Sequence, residues 1–280
     1  MSNFLEQYGK ALFTLVLVAI LIAFAGPLGM KIKNATTEKV STTEEIGDDE
    51  VYTATTGRPK PPKEFTTKLY VVTYSDNSAE ISRNPIKPDI NKTVKDNNKT
   101  VSKPSDIEFG SGFVVNKYHI TKLIIKSSIK IKDAEFYFGN MQALQNIENL
   151  NYLYTNECTN MYNMFYQCLA LTSLDLSRFD TSKVTNMKGM FQSCRALTNL
   201  DLREFDTSNV TGMSTMFYYC QNLTSLDLSV FNTEKVTDMG HMFYCCNKLK
   251  SITAPQTVKE KILNSESSAW VPSGVTWITN

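Results

Sequence analysis

Three aspartates, Asp175, Asp201 and Asp227, recur at a constant interval, and each is flanked two residues away on either side by small polar or basic residues. The flanking residues are Ser173 and Ser177, Asn199 and Arg203, and Ser225 and Ser229. Residues two apart on a strand share one face, and neighbouring strands lie about 4.8 Å apart, so these nine positions would line up as polar columns. Carboxylates at that spacing repel one another. They must be hydrated, paired with nearby Thr and Arg, or bridged by a cation. The chemistry on offer is therefore recognition: of a basic partner surface, or of calcium in a ladder. The plainer alternative is a repeat consensus kept soluble by hydration. No metal and no cofactor is assigned to these positions.

Catalytic constellations are not evident. The two histidines, His119 and His241, have no sequence-local acid and nucleophile. Gly110-Ser111-Gly112 lacks the lysine and following helix of a phosphate loop and reads as a flexible turn. A net charge of +1 leaves no nucleic-acid footprint. Of six cysteines, Cys168, Cys194, Cys220 and Cys246 occupy one repeated inward position, where a thiol serves as a small apolar group. Helical segments about 8–10 Å apart exceed the roughly 7 Å limit for a bridge, so free buried thiols are expected. Cys158 falls in the column of Val184 and reads as core, whereas Cys245 is expected to face outward. An enzyme is not expected.

These residues are positioned by a block of 26 residues that recurs without insertion or deletion, one coil of a stacked solenoid per copy. Met164, Met190, Met216 and Met242 mark the register, followed by Phe165, Phe191, Phe217 and Phe243, then by the cysteine column. Leu171-x-x-Leu174-x-Leu176 reads as a short strand. Val184, Met187, Met190, Phe191, Cys194 and Leu197, spaced three or four apart, predict one or two helical turns packed behind it. Asp180-Thr181-Ser182, repeated as Asp206-Thr207-Ser208 and Asn232-Thr233, is a polar turn whose side-chain oxygens accept from exposed amides. One copy buries too little to stand alone, so neighbours must cover its faces.

The run LTSLDLSRFDTSKVTNMKGMFQSC, repeated as LTNLDLREFDTSNVTGMSTMFYYC and LTSLDLSVFNTEKVTDMGHMFYCC, resembles the BspA-like leucine-rich-repeat bacterial surface proteins with a 26-residue repeat. The resemblance covers about residues 141–254. It implies an α/β leucine-rich-repeat solenoid of short strands and short helical turns. It also implies a surface-exposed bacterial protein, some of whose relatives are similar to adhesins that bind host matrix. Phe179, Phe205 and Phe231 stand where many such repeats carry an Asn or Cys ladder, so stacked aromatics are expected to hold that turn.

The chain then divides as follows. Residues 1–10 are a short leader, and residues 11–30, uncharged over a length of about 30 Å as a helix, predict a single transmembrane anchor or else a signal sequence. Residues 31–108 predict an extracellular linker, largely disordered, with a short strand near 69–74. Residues 109–152 form an amino-terminal cap with a degenerate copy two residues short, 153–254 the repeats, and 255–280, carrying Trp270 and Trp277, a carboxyl-terminal cap. The expected location is the cell membrane, single-pass with the carboxyl-terminal region extracellular, or the exterior after signal cleavage. The expected partner is an extracellular protein or glycan, host matrix included, with the membrane contacted through the amino-terminal helix and no nucleic acid bound. Adhesion or recognition is the expected function, and a self-assembling envelope or pilin-like component is the alternative.

Overall fold

The computed structural model describes residues 61–106, 117–264 and 270–279. Its first element is β1, Leu69–Tyr74, whose run LYVVTY suits a pleated, half-buried surface. A tight turn leads to β2, Ser78–Ser82. Asn77 takes a left-handed φ of 61°, and the Asp76 carboxylate accepts the Ser78 amide at 2.9 Å. β3, Val94–Val101, lies antiparallel on the other side of β1. The expected linker thus contains a three-stranded unit well beyond the strand anticipated near 69–74. The polar sequence of β3 is misleading because an edge strand draws its order from backbone pairing, and charged side chains along it are a common protection against aggregation.

The solenoid grows directly from this sheet. β2 pairs in parallel with β4, Lys122–Ile125, which pairs in parallel with β6, Asn146–Glu148, in the order β3-β1-β2-β4-β6. β5, Ile129–Lys130, pairs with β7, Leu153–Tyr154. Lys122 faces Asn146 and Ile129 faces Leu153, the shortened step expected of the degenerate copy. Asp133, Asn160, Asn186, Gly212 and Asp238 then bridge in succession, the last three steps holding the regular period. At the far end β8, Ser225–Asp227, β9, Ser251–Thr253, and β10, Thr276–Ile278, form a parallel sheet.

The helical turns expected behind the strands do not form, and the fold is a β-solenoid. In the segment from Met187 to Cys194, alternate amides cross to the next coil: Met187 donates to the Gly212 carbonyl at 3.0 Å, Gly189 to Ser214 at 2.9 Å, Phe191 to Met216 at 3.0 Å and Ser193 to Tyr218 at 2.7 Å. The amides between them turn back three residues, Met190 to Met187 and Gln192 to Gly189. Two residues per coil are left-handed, Gly189 and Ser193 here, with Asn163 and Gln167 before them and Thr215 and Tyr219 after. A right-handed helix cannot contain such residues. Three-residue turns place apolar side chains at the same intervals as helical turns do, and this explains the misassignment. Among the described residues the one α-helix, α1, Gln256–Leu263, lies outside the repeats.

The membrane assignment is corrected as well. Among the described residues no helix is long and apolar enough to cross a membrane. Residues 11–30, where the anchor or signal was placed, and residues 31–60 of the linker lie outside the described residues. The single-pass, outward-facing arrangement is not retained.

The core is a set of continuous columns. Phe138, Phe165, Phe191, Phe217 and Phe243 stack face to face with centroids 5.3–5.9 Å apart and interplanar angles of 3–14°. Cys168, Cys194, Cys220 and Cys246 are fully buried free thiols, and each donates to a phenylalanine carbonyl of the preceding coil at 3.0–3.2 Å. The aromatic stack therefore runs beside the cysteines. Phe179, Phe205 and Phe231, where stacking was expected, are buried singly, and their amides close onto the Leu176, Leu202 and Leu228 carbonyls. α1 covers the last coil with buried Val258 and Ile262. Its Lys261 ammonium donates to the Thr233 carbonyl at 2.6 Å.

Candidate recognition surface

The nine polar positions are on the surface but are not one assembled site. Ser173, Asp175, Ser177, Asn199, Asp201, Arg203 and Ser225 are exposed, while Asp227 and Ser229 are half-buried. Each aspartate closes its own turn. Asp175 accepts the Ser177 amide at 3.1 Å, Asp201 the Arg203 amide at 3.1 Å and Asp227 the Ser229 amide at 2.9 Å. The Ser177 hydroxyl adds 2.6 Å to Asp175, and the Arg203 guanidinium grips both Asp201 oxygens at 2.9 and 2.6 Å. The Arg203 side chain and amide hold the Asp201 carboxyl down to about 2. Repulsion along the column is thus relieved within each coil, by Ser or Arg two residues on. Only Ser225–Asp227 has strand geometry here, with β9 and β10 stacked behind it. Leu171–Leu176 and Leu197–Leu202 carry none. Among the described residues no group of three or more His, Cys, Asp or Glu could hold a metal ion.

A second wall is held by threonines. The Thr155, Thr181 and Thr207 hydroxyls donate to the carbonyls of Asp180, Asp206 and Asn232 in the following coils, each at 3.0 Å, and accept the amides of the same residues at 2.7–2.9 Å. The Asp-Thr-Ser turn forms as expected: the Asp180, Asp206 and Asn232 side chains accept the amides of Ser182, Ser208 and Glu234. The Ser208 hydroxyl and amide hold the Asp206 carboxyl below its usual value.

Past the threonine turn of each coil comes the column of bridging residues. The Asn186 amide donates to the Asn160 side chain at 3.2 Å, and Asn160 donates to Asp133 at 3.1 Å. Gly212 interrupts this ladder. The Lys188 side chain lies across the gap and reaches Asp238, two coils from its own, at 2.7 Å. A Cβ on Gly212 would meet Lys188 Cε at 2.5 Å. Burial alone would raise the Asp238 carboxyl, but Lys188 and the Gly240 amide keep it below its usual value. Gly189 adopts a left-handed φ of +61°, which costs a residue without a Cβ least, and the Asn163 Oδ1 atom would press on a Cβ placed there.

Sequence reasoning missed an aromatic cluster at the carboxyl-terminal end of the repeats. Tyr218 stacks on Tyr244 at 5.1 Å and 16°, Tyr219 lies 4.8 Å from Tyr218, and Trp270 meets Tyr244 edge to face at 5.2 Å. His241 approaches Tyr244 at 6.1 Å, and the Arg195 guanidinium sits 5.8 Å over Tyr219. The signal lay in the variable residues after each core phenylalanine, Tyr166-Gln167, Gln192-Ser193, Tyr218-Tyr219 and Tyr244-Cys245, of which one pair is aromatic at both positions and is followed one coil later by a further tyrosine. His241 is exposed with φ 56°, and His119 is exposed near β4. Gly110, Ser111 and Gly112 lie outside the described residues. Burial raises the Cys158 thiol to about 11 and the Cys168 and Cys246 thiols to about 12, so none of these is a nucleophile near neutrality. Cys245 is half-buried, in part away from the core as expected.

No curated protein and no solved structure matches the chain. Residues 132–256, less than half of the chain, match the family DUF285, described as a Mycoplasma protein of unknown function. Over its repeats the chain is thus similar to a Mycoplasma-type repeat family, and it is a β-solenoid.

Proposed function

We propose that this protein is a non-enzymatic recognition module of BspA-like type, whose repeats hold a rigid surface for a protein or glycan partner in adhesion. One observation carries the reading. The columns that fill each coil are nearly invariant and dry, whereas several surface columns vary from coil to coil: Ser177, Arg203 and Ser229 in one, Gln192, Tyr218 and Tyr244 in another. Variation confined to the surface of a stiff scaffold suits binding, in which a few surface residues dominate affinity. Ser173, Asp175, Asn199, Asp201, Ser225 and Asp227 supply polar contacts along one face.

Self-assembly as an envelope or appendage component is the competing use. Sedimentation over a wide concentration range, paired with binding to arrays of matrix proteins and glycans, separates them. A monomer that binds saturably supports recognition; concentration-dependent oligomers that bind nothing refute it.

A further inference from the structure

Each coil has one wall without carboxylates. Residues 161–174, 187–200, 213–226 and 239–252 contain neither Asp nor Glu, and the acids of these coils stand between the strand and the bridging column, Asp238 in that column being the last of them. In the last two of these segments every Met, Leu and Ile is buried. What remains for solvent is ring, hydroxyl, amide and scattered cation. Rings gather at both ends of the wall: Phe136, Tyr162 and Tyr166 meet edge to face at one end, and at the other Tyr218, Tyr219 and Tyr244 are half-buried beside Trp270, which at 56% is the most exposed ring of the two groups.

The chemistry of this patch selects among ligands. A cationic ligand is disfavoured, because the rings pack on one another without leaving a cage, no carboxylate among the described residues stands in the wall, and Arg195, Lys248 and Lys250 are exposed there. A protein docking core draws on aromatics together with Met and other apolar side chains. Here those side chains face inward. A ligand with flat C–H faces and many hydroxyls fits what is left, since it can lie against an aromatic face while phenol, amide and guanidinium groups take its hydroxyls.

We propose that the wall formed by Tyr218, Tyr219, Tyr244 and Trp270 binds an oligosaccharide without free amino groups. The site rests on the recognition reading above and narrows its partner class. It is separate from the Asp175, Asp201 and Asp227 positions, which lie on the acid-bearing part of the coil.

The chain has two tryptophans, and Trp277 packs against the core, so the full chain carrying Trp277→Phe reports Trp270 emission alone. Titration with cello-, galacto- and N-acetylchito-oligosaccharides is expected to give a saturable change in that emission for at least one of them. A deacetylated chito-oligosaccharide should bind more weakly. By calorimetry, Trp270→Ala and Tyr244→Leu should each lower affinity about two- to tenfold, the loss expected for an aromatic contact, with circular dichroism and melting unchanged. Replacing Asp175, Asp201 and Asp227 together with Asn should leave saccharide affinity unaltered. No saturable response to any saccharide, preference for the amine-bearing oligomer, or affinity that survives both aromatic changes overturns the site. A protein partner captured without saccharide binding overturns it while leaving recognition intact. Oligomers that bind neither overturn both.

Discussion

Replacing Thr181 by valine removes one hydroxyl from the wall between coils and leaves the side-chain volume nearly unchanged. That hydroxyl is 1% exposed at the residue level, donates to the Asp206 carbonyl at 3.0 Å and accepts the Asp206 amide at 2.8 Å. Two hydrogen bonds at about 0.5–1.5 kcal/mol each give an expected loss of roughly 1–3 kcal/mol. Thr181→Ser keeps both bonds and removes a methyl group, at about 0.8 kcal/mol. Valine should therefore cost more than serine, the reverse of what a purely apolar turn would show. Urea unfolding followed by circular dichroism measures the difference. Because repeat arrays can lose all-or-none unfolding, amide exchange at Asp206 supplies a local readout, with about tenfold faster exchange for each 1.4 kcal/mol lost. If Thr181→Val is no more destabilising than Thr181→Ser, and Asp206 exchange is unchanged, the coils are not joined through this hydroxyl and the reasoning fails.

Other outcomes follow from the same geometry. Gly212→Asn should extend the Asn160 and Asn186 ladder and push Lys188 off Asp238; nuclear magnetic resonance titration should then show the Asp238 carboxyl moving up toward its usual value. Asp76 is held from 3.8 down to about 2 by the Ser78 hydroxyl, against an opposing effect of burial, and then by Lys92 at 2.9 Å. A depressed folded value stabilises above the unfolded one, so this contribution should vanish as pH falls from about 4 to 2, and Asp76→Asn should flatten the acid limb of a melting-temperature profile. The buried thiols have the opposite sign. Burial raises Cys168 from 9.0 to about 12, so the unfolded chain ionises first, and stability should decline as pH climbs past 9 toward 12, less steeply in Cys168→Ala. In the native protein a thiol reagent should modify Cys245 readily and the buried five cysteines only on unfolding.

Much of the interior was legible in the chain because a constant period forces equivalent residues into equivalent places. The Met, Phe, Cys and Leu columns, the free thiols and the Asp-Thr-Ser turn all follow from spacing and side-chain chemistry, whatever the backbone between them does. The local backbone did not follow. Apolar steps of three and four residues are shared by helical turns and by a succession of tight turns, and only the positive φ at positions such as Gly189, Ser193 and Thr215 separates the two. Gly189 and Asn163 were the available hints, yet Thr215 and His241 occupy the same column. The polar sequence of β3 resembles a spacer because strand order at an edge is supplied by the neighbouring backbone.

The candidate surface divides along the same line. Alternation places the nine positions from Ser173 to Ser229 outward; seven are exposed, and Asp227 and Ser229 are half-buried. That Lys188 crosses Gly212 to reach Asp238, and that Trp270 meets Tyr244, which stacks on Tyr218 of the coil before, are contacts between residues far apart in the chain. By itself the sequence determined which residues repeat and which of them must be buried, because apolar side chains leave water wherever a neighbour can cover them. Only the tertiary structure decided how each backbone amide is satisfied and which exposed groups meet, because those choices depend on the coil above and the coil below.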